Sequence, residues 1–455
     1  MSEISYEVLD KAKVMSFHRR VTVLAALGPF SDAFNEFGAA TSLLAVSTLY
    51  HLSAVMTSIV IAGYWVGVAG GGILGMLSDK IGRKQLFIYD TLGMATFALL
   101  SAASFNGISY FVFRFLLGIF IGLDYSAAVP LVSEYAPVTA RGRLLSMEKI
   151  FFMIGAIATA AIGFGLTAWV GVLTAWRIDF IIAAIPPLIL FVLRRKMPES
   201  LRWAVEAGNK KKAEESISML EKYGLKPKVN LDAIQEKKIS LWQNLKTFFS
   251  RTYARQVVYI FWIGTAYALT VNLVSVYSPK VLAALGATPS ESVLDFTIIE
   301  ALGTFGVVLA LFTVDKVGRR ILGTLGFGLG AIPLAVVYVA YLMGILTIPL
   351  VVAMFSLFYF INVGFVGTLQ YIPAGEVFPT RLRGLSVGWE KLYEFGVALP
   401  ALTLYAYLGV ANSLIYDIIV SIVAAVIFYF VSIETKQMSL EEIERRYARI
   451  KGTPS

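Results

Sequence analysis

"SEYAPVTARGRLLSMEK" (133–149) and "GEVFPTRLRGLSVGWEK" (375–391) are two stretches of this chain that align without a gap at an offset of 242 residues. The identical positions are Glu134/Glu376, Pro137/Pro379, Arg141/Arg383, Gly142/Gly384, Glu148/Glu390 and Lys149/Lys391. A second pair, "SDKIGRK" (78–84) and "VDKVGRR" (314–320), aligns at an offset of 236 residues. Because two motifs recur in the same order, the sequence predicts a chain built from two copies of one structural unit.

The composition indicates the solvent in which these units fold. Of the 455 residues, 57% are hydrophobic and 15% are charged, whereas soluble domains have about 45–50% and about 25%. A membrane-spanning helix takes roughly 20 apolar residues, so the apolar fraction suffices for about a dozen spans. The sequence therefore predicts a polytopic membrane protein. With no Cys and two distant His, it predicts no disulfide, no metal site and no cofactor.

The apolar stretches predict twelve spans in two groups of six. The first group lies near 21–46, 55–77, 85–105, 108–133, 146–170 and 175–194, and the second near 254–284, 293–313, 321–343, 347–375, 386–408 and 412–433. The predicted organisation is a cytoplasmic N-terminus (1–20), an N-terminal six-helix bundle (21–194), a cytoplasmic linker with short helices (195–253), a C-terminal six-helix bundle (254–433) and a cytoplasmic tail (434–455). Such parallel six-span repeats are typical of transporters whose substrate site lies between the two halves.

The positive charges mark one side of the membrane. Lys and Arg concentrate in alternate loops, such as "DKIGRK" (79–84), "RGR" (141–143), "RRK" (194–196) and "DKVGRR" (315–320). The loops between them, including "FNGIS" and "LMGIL", contain no Lys or Arg. By the positive-inside bias, both termini and the central linker are cytoplasmic. This bias accounts for the net charge of +9, so we predict a lipid bilayer as partner and no nucleic acid.

The two duplicated motifs have the chemistry of a conformational latch. Gly82 permits backbone angles that other residues avoid, while Asp79 can cap a helix end and pair with nearby cations. Ionic turns of this kind can lock helices in one conformation and release them in another. The predicted latch residues are Asp79, Gly82, Arg83, Glu134, Arg141, Asp315, Gly318, Arg319, Glu376 and Arg383.

At these motifs the chain resembles the major facilitator superfamily, and within it the sugar porters and their phosphate- and organic-ion-transporting relatives. "GMLSDKIGRK" (75–84) is similar to the superfamily's loop between spans two and three. "PESLRW" (198–203), "EVFPTRLRG" (376–384) and "ETKQMSLEEIE" (434–444) resemble three further sugar porter motifs. The resemblance covers almost the whole chain. It implies an all-α membrane protein with 12 transmembrane helices as two pseudo-symmetric six-helix bundles, the major facilitator fold.

The chain departs from the sugar porters where their substrate binds. In "AYALTVNLVSVYSP" (266–279) it keeps Asn272 and Tyr277 but has Tyr267 at one position of the family's glutamine pair. Tyr371 replaces the tryptophan of span ten, and Glu394 stands in the Asn/Gln–Trp pair of span eleven. A hexose would lose most of its amide partners, so organic acids, phosphate and modified sugars stay open. "GLDYSAAVPLVSE" (122–134) and "FSDAFNEF" (30–37) instead resemble phosphate symporters.

Polar and charged residues inside predicted spans are candidates for function, because a charge at the bilayer centre costs about 2.5–3.5 kcal/mol on insertion scales. The proton-coupling candidates are Asp32, Arg114, Glu36 and Asp124. The substrate-cavity candidates are Asn35, Tyr125, Tyr267, Asn272, Tyr277, Glu300, Tyr371 and Glu394.

Asp32 and Arg114 are predicted as the coupling pair. A carboxylate beside a guanidinium stays ionised until substrate or a conformational change separates them, after which it can take a proton. The alternative is a structural ion pair. For Asp124 the alternatives are a cavity position and a tether between helices. For Glu394 one alternative is substrate or proton binding, and the other is pairing with Lys391 or facing a wet cytoplasmic vestibule.

The predicted function is secondary active transport of a small polar metabolite across the cell membrane by alternating access, with proton symport and a monomeric chain. A facilitative uniporter or exporter is the alternative within this class. A primary pump is unsupported, because the chain has no GxxxxGK[ST] loop and no Gly-Lys dipeptide. A membrane-embedded enzyme lacks a clustered catalytic set. A passive channel would not require duplicated ionic loops.

Overall fold

The computed structural model describes residues 4–235 and 240–447. The last part of the predicted tail, residues 448–455, and the first three residues of the chain lie outside the described residues. Almost all of the described chain is helical. A two-residue antiparallel ladder joins β1 (Ile4–Ser5) to β2 (Lys228–Val229) and so ties the N-terminal segment to the central linker.

The N-terminal half provides six spans. Its helices are α1 (Glu7–Asp10), α2 (Ser16–Leu49), α3 (Ala54–Leu74), α4 (Met76–Ile81), α5 (Arg83–Ala102), α6 (Gly107–Tyr135), α7 (Arg141–Val170), α8 (Val172–Ala183) and α9 (Ile185–Arg194). The spans are α2, α3, α5, α6, α7 and the combined α8–α9. Gly82 (φ 110°) separates α4 from α5, a conformation that favours glycine.

The linker and the C-terminal half follow. Their helices are α10 (Leu201–Glu206), α11 (Lys210–Glu221), α12 (Leu241–Phe248), α13 (Ala254–Ala284), α14 (Pro289–Val317), α15 (Arg319–Leu342), α16 (Ile348–Ile361), α17 (Pro373–Glu376), α18 (Arg383–Val431) and α19 (Leu440–Tyr447). Short 3₁₀ turns are Val138–Ala140, Leu231–Ala233 and Thr380–Leu382, and a π-helical turn is Asn362–Gly367. The spans are α13, α14, α15, α16 with the π-helical turn, and the two parts of α18.

Length and hydropathy identify most of these spans without reference to packing. Within the described residues, nine segments are long and apolar enough to cross a membrane. The remaining three spans are α2, α3 and the first part of α18. The two parts of α18 meet at Gly409, where a φ of 68° breaks the helix.

The N-terminal segment, the linker and the tail meet on one face of the bundle, which we call the termini face. Arg202 of α10 pairs with Asp10 at 3.0 Å and with Glu441 of α19 at 2.9 Å. All three chain segments therefore share one buried guanidinium. Since Arg202 lies outside the spans, its two carboxylate partners raise its pKa above the ordinary value for arginine even though burial opposes this.

The two halves touch most closely at Gly72 of α3 and Gly388 of α18. A Cβ atom on Gly388 would overlap the carbonyl oxygen of Gly72, and a Cβ on Gly72 would lie 2.5 Å from the carbonyl oxygen of Gly388. Small residues of this kind let helix backbones approach each other in membranes. The contact brings α3 and α18 together beside the termini face.

The Gly388 contact generates a prediction about conformation. We expect Gly388→Val to push α3 and α18 apart, because overpacking costs about 1–3 kcal/mol. The chain has no cysteine, so Val129→Cys supplies a clean reporter: Val129 is fully buried and its side chain faces Gly375 of the other half. Labelling of this cysteine by N-ethylmaleimide should rise several-fold in the Gly388→Val background.

Gly396 is the matched control on the same helix, because a Cβ there meets no described atom within 4 Å. Gly396→Val should leave the labelling rate unchanged. Equal rates in both valine variants would show that the Gly72–Gly388 contact does not hold the halves together.

Candidate substrate and proton site

A cavity of about 200 Å³ lies between the two halves. Helices α2, α3, α6 and α7 line it from the N-terminal half, and α13, α14, α16 and α18 from the C-terminal half. Each half thus contributes one wall, as in transporters built from parallel repeats. The residues predicted for the site that do line this cavity are Glu36, Tyr125, Tyr267, Asn272, Glu300, Tyr371 and Glu394.

The cavity wall from α18 carries a compensated lysine. The Lys391 ammonium lies 2.6 Å from the Glu394 carboxylate and 3.2 Å from that of Glu390. It also lies 4.8 Å from the ring centres of both Tyr125 and Tyr371. Of the two alternatives for Glu394, the structure shows the pairing with Lys391, although Glu394 still borders the cavity.

Lys149 of α7 lines the same cavity, although it is not among the site residues predicted from the sequence. Its ammonium donates to the Tyr267 hydroxyl at 3.4 Å and lies 4.4 Å from the ring centre of Phe152. Among the described residues, no carboxylate oxygen lies within 4 Å of this ammonium. The internal repeat points to this residue, because Lys149 aligns with Lys391.

Two cavity carboxylates also lack a cation close by. Glu36 accepts a hydrogen bond from the Trp65 indole at 3.2 Å, and Glu300 lies on α14 across the cavity. Within the described part of the chain, neither has a lysine or arginine nitrogen within 4 Å. Together with Lys149, they are the cavity charges available to a solute or a proton.

Asp32 does not pair directly with Arg114, so the predicted coupling pair is wrong in its geometry. The Asp32 carboxylate accepts hydrogen bonds from the hydroxyls of Tyr64 and Tyr125. Arg114 donates to the Asn35 carbonyl at 3.0 Å and lies 4.2 Å from the Tyr64 ring centre. Tyr64 therefore separates the two, because its hydroxyl binds the acid while its ring carries the guanidinium.

Asn35 and Tyr277, two other cavity candidates, do not line the cavity in the described structure. The Asn35 amide donates to the Ser31 carbonyl at 2.8 Å, which ties it to its own helix. The Tyr277 ring packs against Tyr405 with 5.5 Å between ring centres. Both side chains are occupied by packing contacts that sequence spacing does not reveal.

Asp124 is a tether between helices and does not line the cavity. It pairs with Arg194 of α9, and the same guanidinium lies 3.3 Å from Asp90 of α5. Arg194 also donates to the Leu24 carbonyl at 3.0 Å. This buried cluster joins four helices of the N-terminal half, as the tethering alternative for Asp124 predicts. A role of Asp124 in proton coupling stays a prediction.

The two duplicated loops cap helices of the opposite half. Asp79 accepts hydrogen bonds from the backbone N–H groups of Gly384 (3.0 Å) and Leu385 (2.9 Å) at the start of α18. Asp315 accepts from Gly142 (3.0 Å) and Arg143 (2.8 Å) at the start of α7. Each aspartate thus neutralises the positive end of a helix dipole in the other half.

Each of these aspartates pairs with an arginine of its own half, and a further arginine pairs with a glutamate across the two halves. Arg83 pairs with Asp79 at 2.6 Å, and Arg319 pairs with Asp315 at 3.1 Å. Glu134 pairs with Arg83 of its own half at 3.4 Å and with Arg383 of the other half at 3.1 Å. Among the described residues, Glu376 pairs with Arg319 of its own half, at 2.8 Å.

The remaining latch residues complete an asymmetric pair of turns. Arg141 lies 3.5 Å from Asp10 of the N-terminal segment and donates to the Met438 carbonyl at 2.9 Å. Gly318, like Gly82, adopts a positive φ (99°), and it separates α14 from α15. The latch residues therefore all lie in one buried network at the termini face.

The Glu134–Arg383 pair generates a prediction about stability. Removing one partner leaves the other charge buried, which costs about 3–5 kcal/mol. We expect Glu134→Gln and Arg383→Gln each to lower the Tm of the detergent-solubilised protein by several degrees. The double variant should lose less than the sum of the two losses, because the partners are coupled.

The exposed Lys210–Asp232 pair (2.7 Å) is the control for this cycle. Asp232→Asn should shift the Tm little, since exposed ion pairs contribute about 0–1 kcal/mol. Additive losses for Glu134 and Arg383 would contradict direct coupling across the halves.

The sequence of the chain has relatives among known transporters. The family described as "Sugar (and other) transporter" matches residues 20–447. The arabinose-proton symporter of Bacillus subtilis is 27% identical over 465 residues, covering 97% of this chain and 97% of that protein. The niacin transporter NiaP of Acinetobacter baylyi is 24% identical over 448 residues, covering 96% of this chain and 98% of that protein.

The fold also matches a solved structure. The major facilitator superfamily proton:xylose symporter XylE, bound to 6-bromo-6-deoxy-D-glucose, superimposes with a TM-score of 0.80 at 21% identity, covering 95% of this chain and 99% of that one. This likeness confirms the predicted all-α fold of twelve helices in two six-helix bundles. Because the family match extends over nearly its whole length, the chain belongs to the sugar (and other) transporter family.

Proposed function

We propose that this protein is a proton-coupled symporter that moves a small polar solute across the cell membrane by alternating access. The observation that carries the proposal is a cavity walled by both halves and closed at one face by the duplicated latch. A cavity in this position serves a solute that enters from one side and leaves from the other. The solute itself is released unchanged, which distinguishes transport from catalysis.

The moving units in this proposal are residues 21–194 and 254–433. Separation of the halves at the termini face requires α18 and α7 to lose the caps supplied by Asp79 and Asp315. The positive-inside bias places that face in the cytoplasm, so the described state is closed toward the cytoplasm. One chain encloses the whole cavity, which supports a monomeric transporter.

Proton coupling is assigned to Asp32 through Tyr125. Tyr125 borders the cavity and also donates its hydroxyl hydrogen bond to Asp32. A solute that engages Tyr125 competes for that hydrogen bond, and a buried carboxylate that loses a donor takes up a proton more readily. In this role Arg114 acts through Tyr64, whose hydroxyl supplies the second hydrogen bond.

The relatives support proton coupling and leave the solute open. Two of the proteins compared above are proton symporters by name, for arabinose and for xylose. A third is named as a niacin transporter. The family therefore accommodates chemically different solutes, and the cavity of each member determines which one binds.

The Asp32 assignment predicts a split between two transport modes. Asp32→Asn should abolish accumulation driven by an inward proton gradient in proteoliposomes, while exchange of labelled for unlabelled solute continues within about twofold. The measurement is uptake of radiolabelled xylose, arabinose and benzoate with and without a pH gradient, followed by chromatography of the internal solute.

Asp232→Asn, an exposed linker substitution, should behave as the unmodified protein in both modes. Accumulation that ignores the pH gradient, or that survives Asp32→Asn, would refute proton coupling through this residue. A chemically altered internal solute would refute transport as the function.

The orientation of the chain gives a separate prediction. Because the chain has no cysteine, single cysteines report sidedness directly. In right-side-out vesicles a membrane-impermeant maleimide should label Phe105→Cys, which lies in a loop between spans and is 75% exposed. Lys211→Cys in the linker should react only after the vesicles are permeabilised. The reverse pattern would place the termini face outside the cell.

A further inference from the structure

We infer that the solute is a small aromatic monocarboxylate and that Lys149 binds its carboxylate. This inference rests on the proposed function, because it names the solute class of the same cavity. It depends on three features of the cavity walls: one lysine with no described carboxylate at ion-pair distance, an aromatic lining, and two carboxylates that can carry protons.

The two repeat-related lysines differ in how their charge is compensated. Lys391 has two carboxylates within 3.2 Å, so its charge is satisfied by its own helix. Lys149, its equivalent in the other half, has in the described structure a hydroxyl at 3.4 Å and no carboxylate within 4 Å. A buried ammonium is costly unless it is paired. Glu394, Glu36 and Glu300 act on this ammonium only from across the cavity. An anion that enters the cavity can therefore supply the close partner that Lys149 lacks in the described structure.

Aromatic side chains determine the shape of that anion. Of the twenty described residues that line the cavity, eight are aromatic. Phe152 and Tyr267 flank the Lys149 ammonium, with ring centres 4.4 and 5.7 Å away. An aromatic ring packs on such walls in offset or edge-to-face geometry, while its carboxylate meets the ammonium. A volume of about 200 Å³ is below that of pockets for drug-sized ligands, so the solute is small.

A sugar fits these walls less well. Sugar hydroxyls need several free donors and acceptors. Three polar groups of this lining already have partners, since Tyr125 donates to Asp32, Trp65 donates to Glu36 and Tyr267 accepts from Lys149. Among the described lining residues, Asn272 is the one amide, and its NH₂ group already donates to the Ala268 carbonyl. Phosphate would leave the aromatic lining without an apolar partner.

The two remaining cavity carboxylates link the anion to the proton. Glu36 and Glu300 border the same space as Lys149 and, among the described residues, have no cation within 4 Å. If both were ionised they would repel a carboxylate solute. A proton on either one weakens that repulsion, so the proton favours entry of the anion. Lys391 and Glu394 compensate each other nearby.

Binding to the purified full-length protein tests the solute class without any transport step. Isothermal titration should show benzoate binding at least tenfold more tightly than benzamide, its neutral analogue, because only benzoate pairs with the ammonium. Benzylamine, D-xylose and inorganic phosphate should bind more weakly than benzoate. These comparisons use the unmodified protein and need no variant to fold.

Variants then test the role of Lys149. Lys149→Gln should weaken benzoate binding at least tenfold, a loss of about 1.4 kcal/mol, and leave benzamide within twofold. Lys149→Arg should keep most of the benzoate affinity. Lys196→Gln, which removes an exposed cation away from the cavity, should change neither. The Tm of each variant confirms that it is folded.

The inference is overturned if benzylamine, xylose or phosphate binds more tightly than benzoate, if benzoate and benzamide bind equally, or if none of the probes binds. Equal benzoate affinity in folded Lys149→Gln overturns the assignment of Lys149. Proton-driven xylose uptake without benzoate binding would refute the solute class while symport stands. Benzoate binding that depends on Lys149, without proton-driven uptake, would refute proton symport while the solute class stands.

Discussion

Two aspartates, each capping a helix of the opposite half, are the interaction on which the architecture depends. Asp79 caps α18 and Asp315 caps α7, so a carboxylate on one bundle completes the hydrogen bonds of a helix on the other. Neither helix start has a side-chain cap of its own. Contact between the halves at the termini face therefore supplies hydrogen-bond acceptors for backbone N–H groups at the starts of α7 and α18. This contact closes one end of the cavity.

Duplication explains both the symmetry of this arrangement and its exceptions. The paired aspartates act identically in the two halves, whereas Glu134 crosses to Arg383 and Glu376 pairs within its own half. The lysines diverge further, since Lys391 is compensated and Lys149 faces the cavity without a carboxylate among the described residues. The residue types at these positions are the same in both halves, and what differs is which partners they meet.

Inside the bilayer, the difference between charged groups with and without close partners is informative. A charge inside a span is expensive, so most charged groups of this chain are paired with one another or bonded to backbone. Arg194 with Asp90 and Asp124 is a clear case, and it shows why an intramembrane acid is not by itself a transport residue. Lys149, Glu36 and Glu300 form no ion pair in the described chain, and all three border one cavity.

The sequence by itself determined the membrane solvent, the twelve spans, the duplication and the family, because hydropathy and repeated motifs are local properties that each segment carries alone. It could not determine which polar side chains meet. Tyr64 separates Asp32 from Arg114, Arg194 binds Asp124, and Lys149 reaches the cavity, each through contacts between helices distant in the chain. Helix rotation and packing decide those contacts, and helical spacing states only which residues share a face, not what that face meets.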